Sequence, residues 1–384
     1  MEILGNIAFW SGAILCLPCG FLLLEVVMGL FPGRRSPVSA LAKAPRSVLL
    51  IPAHDEQGGL GTILERLGQT DLEGVQPIVL ADNCSDQTAQ IARDAGVDVW
   101  ERDNASERGK PFALAWALDR MTEDPPEVVL FLDADTWFHR GGPATLARCA
   151  AQRGMPVQAI NRIYGGGLRG FAFRFRNEAR LRGLKNLGAP TQLSGTGFAL
   201  PWKLLADFPL PVGELAEDAS WGWNFARAGI GPYLTTEVEV LSNPPGSKQG
   251  EATQVRRWEH GILAATLRFL PGLLRSALLP PSLKRMFHLA DVLVPPLALL
   301  VLICLSVLGL GAVTAELTVI APTLCALSLL GIAVLLGWWK YGRADLPLRQ
   351  LLTAPLYAVG KIGVYGSFLF RRQKGWQRTE RDDD

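Results

Sequence analysis

Charge is missing where a soluble protein would need it. Residues 3 to 24 contain no Asp, Glu, Lys or Arg, and neither do residues 292 to 315 or 317 to 339. About 20 apolar residues in a helix cross a hydrocarbon core, so each stretch is long enough to do so. These gaps, with a hydrophobic share of 49%, exclude a purely soluble chain. Net charge is nearly absent too. A formal +2 over 384 residues excludes a nucleic-acid binder recognised by charge. The six cysteines form no disulfide framework. Cys16 and Cys19 make a C-x-x-C inside an apolar stretch, where small buried thiols are the expected use. No zinc-like Cys/His spacing, internal repeat or low-complexity tract occurs. No basic segment precedes the first apolar stretch, whose only early charge is Glu2, and no small-residue cleavage site follows. A retained anchor, residues 1–33, is expected rather than a cleaved signal.

The flanks of the apolar stretches predict their orientation. Arg34, Arg35, Lys43 and Arg46 follow the first, which puts that end in the cytoplasm and the N-terminus outside. The region 45–260, of ordinary globular composition, is then cytoplasmic. Two further spans are expected over 288–340, leaving and returning, with Glu316 outside and Lys340, Arg343 and Arg349 inside. Residues 261–287, with spaced Arg268, Arg275, Lys284 and Arg285, are expected as interfacial helices. Residues 350–384 predict another interfacial helix, centred on Lys361, and a basic cytoplasmic tail carrying Arg371, Arg372 and Lys374. The chain is thus expected in the plasma or inner membrane, in contact with lipid.

Within 45–260 short apolar strands alternate with helices. Strands are predicted over 47–53, 76–82, 97–103 and 127–135, with helices at 85–96 and 110–121 between them. Ser85 is suited to cap the first of these helices. The pattern predicts an α/β fold with a mostly parallel sheet covered on both faces. Ligands bind beyond the carboxyl ends of such strands. Acidic clusters recur there: "AHDE" after the first strand, "DNCSD" after the second and "DAD" after the fourth. Asp133 and Asp135, one residue apart, repel each other unless something positive lies between them.

The order "IPAHDEQ", "ADNCSDQTAQIA", "ERGKPFALAWAL", "FLDADT", "SGTGFAL", "ELAEDASWGW" and "QVRRW" resembles membrane-bound glycosyltransferase family 2. The branch it resembles contains the cellulose, hyaluronan and poly-N-acetylglucosamine synthases. That resemblance implies a GT-A fold and inverting transfer of a sugar from a nucleotide-sugar, with UDP as the expected carrier. It implies a magnesium or manganese ion on Asp135, with Asp133 touching the donor's ribose or sugar. Hard oxygen ligands suit either ion. Pro52, Ala53 and Glu56 match the nucleoside loop, although Asp55 stands where asparagine is commoner. Asp82 matches the acid that binds base or ribose. Lys110 matches a lysine near the donor, or is a surface residue at a helix start. Asp218 is expected as the base that deprotonates the acceptor, with Glu217 in support, although Ala216 replaces the family's threonine. Gln254, Arg257 and Trp258 form Q-x-x-R-W, which implies donor contacts, with Trp258 also facing the acceptor. A juxtamembrane basic helix with an interfacial tryptophan accounts for the same residues. Gly195, Thr196 and Gly197 are expected beside the acceptor, or as an ordinary tight turn.

Seven basic residues between Arg162 and Lys185 read as a face for anionic lipid or for an anionic acceptor. The acceptor itself is a growing polysaccharide or, as in ceramide-glucosyltransferase-like enzymes, a lipid or lipid-linked molecule. Three spans enclose little, so a polysaccharide would require an export partner or a homo-oligomer. A transporter would carry polar groups along its spans, where Glu25 is the one candidate. An inactive scaffold would have lost one of Asp82, Asp135, Asp218 or Arg257, and all are present. A nucleotidyltransferase would carry a glycine-rich phosphate loop after its first strand, absent here.

Overall fold

The computed structural model describes residues 2–33, 43–244, 247–314 and 316–370. Arg34, Arg35 and the basic tail from Arg371 lie outside the described residues. The chain divides into two compact units, one from residues 35–164 and 190–265, the other from 1–34, 165–189 and 266–373.

The first unit is the expected α/β layer. Its strands are β1 (Ser47–Ala53), β2 (Val75–Asp82), β3 (Asp98–Arg102), β4 (Val128–Phe131), β5 (Thr136–Arg140), β6 (Val157–Ile163), β7 (Phe198–Pro201) and β8 (Tyr233–Ser242). They form one sheet in the order β3-β2-β1-β4-β7-β6-β8-β5. β3, β2, β1 and β4 run parallel, β7 is antiparallel to β4 and β6, and β5 is antiparallel to β8. Successive side chains of a strand face opposite ways, so the unbroken apolar run of β1 feeds two cores. Leu49 and Ile51 pack with helices Leu60–Gly68 and Pro143–Arg153. Val48 and Leu50 pack with helices Lys110–Arg120 and Glu217–Arg227 on the other face.

Two local expectations are corrected. The fourth strand stops at Phe131 rather than 135, because Thr136 N–H bonds back to Asp133 O (3.0 Å) and closes a turn. The paired aspartates therefore lie in a turn between β4 and β5. Ser85 does not cap the following helix, Thr88–Asp94. The cap position is Gln87, Asp86 Oδ1 just before it accepts from Thr88 N–H (2.9 Å), and Ser85 N–H donates to Asp55 Oδ1 (2.7 Å).

The second unit is helical. Helices Glu2–Leu30 and Leu317–Tyr341 run parallel, since Gly5, Gly12 and Gly20 meet Val319, Thr323 and Leu329 in turn. At Gly12 a Cβ would lie 2.4 Å from Thr323 Oγ1, so only glycine permits this approach. Helix Leu297–Ala312 runs the other way: Phe287, before it, stacks on Phe21, whereas Gly311, near its end, faces Ala8 and Ile320. The expected unbroken stretch 292–315 is interrupted, and helix Leu283–Val292 meets Leu297–Ala312 at 73°. Pro295 and Pro296 lack the N–H groups that would continue the ladder. Residues 261–287 begin inside a longer helix, Lys248–Leu278, so Q-x-x-R-W shares that helix. Among the described residues Glu2–Leu30, Gln249–Leu278 and Leu317–Tyr341 are long and apolar enough to cross a membrane, and the bent pair would make four. Residues 348–370 form three short helices, Leu348–Leu351, Ala354–Gly360 and Ile362–Phe370.

The basic stretch 162–185 largely turns inward. Arg162 pairs with Glu239 (2.5 Å), Arg174 with Asp345 (2.7 Å) and Arg182 with Glu178 (3.0 Å). Arg180 bridges Glu25 (2.7 Å) and Asp291 (2.6 Å), both carboxylates buried. Four of the seven cations therefore meet protein carboxylates, because a buried charge is tolerated only when paired. This corrects the expectation of a continuous basic face for lipid or an anionic acceptor.

Candidate functional site

The parallel strands bring their carboxyl ends together. Ala53 lies beside Ala81 in register, and Asp82 beside Arg102. Pro52 and Ala53 close β1, and His54, Asp55 and Glu56 form the turn that follows. Glu56 N–H donates to Thr88 Oγ1 (2.8 Å) and His54 Nδ1 lies 2.8 Å from Asp82 O, which ties this turn to the β2 end. Asp55, Cys84 and Asp86 form the one cluster of three potential metal-ligating side chains among the described residues. Its oxygens are already engaged: Asp55 accepts from Ser85, and Asp86 from Thr88 and Gln57 (3.0 Å). Burial pushes the Asp86 carboxyl up, but these donors outweigh it and hold the group below its usual range. The cluster braces two turns.

Asp82 is almost fully buried, and its two oxygens differ. Oδ1 accepts from Arg102 Nη1 (2.7 Å) and Asn83 Nδ2 (3.0 Å). Arg102 is fixed in turn by Glu107 O (2.7 Å) and Glu107 Oε2 (3.0 Å). Oδ2 accepts nothing among the described residues and retains solvent access.

Around the paired aspartates one ammonium meets several carboxylates. Lys110 begins helix Lys110–Arg120, and its Nζ donates to Asp133 Oδ1 (2.5 Å) and Gly195 O (2.6 Å). The positive charge next to the D-x-D is thus supplied in part by the protein. Burial would lower the Lys110 pKa, but Asp133, Glu217 and Asp218 outweigh it and raise the pKa. Asp135 is pushed up to about 7 by burial and by Asp133. Glu217 is pushed up to about 7 by burial and by Asp218. Burial leads in both shifts, and the neighbouring carboxylate adds to it. Two carboxylates two residues apart in a turn are also the hard oxygen donors that a magnesium or manganese ion takes.

The segment 194–197 joins these groups. Asp133 N–H donates to Thr196 Oγ1 (2.9 Å), and Asp218 Oδ2 lies 3.4 Å from where a Gly195 Cβ would stand. Gly195 and Gly197 have φ of 79° and 64°, which favours glycine at both. Glu217 and Asp218 open helix Glu217–Arg227. On helix Lys248–Leu278, Gln254, Arg257, Trp258 and Gly261 fall on one face by their spacing. Gly261 packs against Leu215 and Ala216 (3.2 Å from its Cβ position), the residues just before Glu217. Arg257 makes no hydrogen bond or ion pair among the described residues.

Sequence reasoning passed over Arg102, Gln158 and Asn161. Arg102 at a strand end beside Asp82 could have been found from register. The two amides carry no motif and show their roles only in three dimensions.

Residues 48–185 match the model of Glycosyl transferase family 2. No curated protein sequence matches the chain. The mannosyltransferase PcManGT of Pyrobaculum calidifontis, solved with GDP-Man and Mn2+, is similar in structure, with a TM-score of 0.62 and 18% identity. The similarity covers 96% of this chain and 100% of that one. Glucosyl-3-phosphoglycerate synthase of Mycobacterium tuberculosis, solved with Mn2+ and UDP-glucose, gives a TM-score of 0.42 at 18% identity, over 58% of this chain and 79% of that one. The fold is GT-A with a mostly parallel mixed sheet, and the stretch 48–185 is similar to glycosyltransferase family 2.

Proposed function

We propose that this chain is a membrane-embedded, inverting glycosyltransferase that takes a UDP-sugar on the cytoplasmic face and adds the sugar to a growing polysaccharide. One observation carries the reading. At the carboxyl edge of the sheet Lys110 pairs with Asp133, and Asp135, Glu217 and Asp218 feel the same ammonium. Such a site suits a cation and a phosphorylated donor. Asp135, with Asp133, would hold magnesium or manganese, which when bound neutralises a departing diphosphate. Arg257, uncommitted, offers a bidentate grip on phosphate, and Trp258 offers an apolar face for a sugar ring. Asp218, at a helix start beside Gly195, takes the proton of the acceptor hydroxyl.

The open oxygen of Asp82 supports uracil. Uracil presents one N–H between two carbonyls and needs one acceptor. Guanine presents two adjacent donors and is held best by both oxygens of a carboxylate, but Arg102 and Asn83 already fill Oδ1.

Helix direction supports three crossings. If Glu2–Leu30 and Leu317–Tyr341 cross in the same sense, the chain between them crosses an odd number of times. Helix Leu297–Ala312 packs antiparallel in their apolar cluster and supplies that crossing. Helix Lys248–Leu278, which carries Arg257, Arg268 and Arg275, then lies at the inner surface despite its length. Lys43 and Arg46 after the first helix, and Lys340 and Arg343 at the end of the last, favour a cytoplasmic location for both ends.

A second reading is transfer to a lipid or lipid-linked acceptor. Helices Glu2–Leu30, Leu297–Ala312 and Leu317–Tyr341 pack through an apolar cluster, which favours it. The test is transfer by the purified protein in membranes, with a panel of nucleotide sugars and magnesium or manganese. A ladder of long products from a UDP-sugar supports the synthase. A single sugar in the lipid fraction supports the second reading, and no transfer from any donor overturns both.

A further inference from the structure

Gln158 is fully buried, charge-neutral and outside every motif, yet its side chain makes four hydrogen bonds. Oε1 accepts from Ser194 N–H (2.9 Å). The two N–H groups of Nε2 face three carbonyls, Ala159 O (2.9 Å), Thr196 O (2.9 Å) and Gly197 O (3.2 Å), so one N–H is shared. Backbone pairing between β6 and β7 covers only Val157 with Ala199 and Gln158 with Phe198. Ala159 N–H still reaches Gly197 O (2.8 Å) and Gly197 N–H reaches Phe131 O (2.9 Å); at 194–196 the chain leaves the sheet, and one side-chain amide holds it there. Asn161 adds a second hold through Nδ2, which donates to Ser194 O (3.2 Å) and Oγ (3.3 Å). Its Oδ1 is buried with no partner among the described residues, so this amide is held by the segment alone.

What that segment touches gives the brace its meaning. Gly195 O receives Lys110, Thr196 Oγ1 receives Asp133 N–H, and Gly195 lies against Asp218. The donor-side pair and the proposed base therefore share one short support. We infer that Gln158, seconded by Asn161, is a positioning residue whose amide sets the distance between Asp218 and the Lys110–Asp133 pair. This rests on the reading of Asp218 as base. Transfer to a hydroxyl requires the base and the donor to be held within a fraction of an ångström, and a displacement of about 1 Å can cost 100-fold. Water attacking the donor demands less alignment.

The test uses Gln158→Met, close in shape without the amide, and Gln158→Glu, which keeps the acceptors and loses the donors. Full-length protein in detergent is assayed for sugar transfer and for donor hydrolysis by water, and hydrogen exchange is followed along 190–200. Both variants are expected to bind UDP within about threefold of the parent and to lower the transfer-to-hydrolysis ratio at least tenfold. Exchange should rise at 194–197 and stay unchanged in β1 and β2. An unchanged ratio, with transfer tracking the folded fraction alone, would overturn the inference. So would unchanged exchange at 194–197, whatever the activity. Asp218→Asn with near-parental transfer would instead remove the reading of the base, a separate failure.

Discussion

The two units treat buried charge in opposite ways. In the helical unit each described pair is closed by the fold: Arg180 lies between Glu25 and Asp291, Arg174 meets Asp345, and Arg182 meets Glu178. At the sheet edge, four carboxylates share Lys110, and two of them are pushed up to about 7. The helical network is made between protein groups, one guanidinium bridging two carboxylates. A binding site leaves charge for its ligand to complete, and perturbed groups cluster there for that reason.

Substitutions in the two units should therefore fail differently. Asp218→Asn is expected to reduce transfer at least 1,000-fold while UDP affinity changes less than threefold, as removal of a general base implies. Initial rates and calorimetric titration check this, and near-parental turnover would show that another group takes the proton. Arg180→Met is expected to strand two buried carboxylates and cost about 3–5 kcal/mol of stability, with turnover per folded molecule unchanged. Thermal unfolding beside specific activity separates these effects. A change in nucleotide affinity would erase the contrast between the units.

Asp82→Asn sharpens the description of the sheet edge. Arg102 would keep the amide oxygen at the Oδ1 position and turn the NH2 outward, replacing an acceptor by a donor. UDP should bind at least tenfold more weakly, and CDP should gain relative to UDP. Equal loss for both nucleotides would mean that Arg102 does not fix the orientation.

The smallest effect concerns pH. Glu217 has a folded pKa of about 7 against an ordinary 4.5, so the folded state binds more protons between those values. Stability falls as pH rises through that window and is level above it. Glu217→Gln should lessen this slope, to which Asp135 adds in the same sense, melting a few degrees higher than the parent at pH 8 and converging with it near pH 4.5.

Much of this site was legible because it follows local rules. Strands ending at Ala53 and Asp82, and the apolar run of the fourth strand though not its end, were visible, and parallel order places their acidic ends on one edge. The other half of the sheet was not anticipated. β7 is only four residues long, and β8 takes its place through pairing with β6 and β5. Lys110 with Asp133, 23 residues apart, and Arg180 with Glu25, 155 apart, are contacts that no spacing rule encodes. Gln158 was invisible for the same reason, since an amide inside an apolar strand announces no partner.

The most direct measurement is UDP binding to the full-length protein with and without manganese, for the parent and Asp135→Ala. The account predicts tight binding by the parent only when the metal is present, and loss of that metal dependence, with affinity at least tenfold weaker, in Asp135→Ala. Binding indifferent to manganese in the parent, or parental binding by Asp135→Ala, would contradict the assignment of the sheet edge as a metal-dependent donor site.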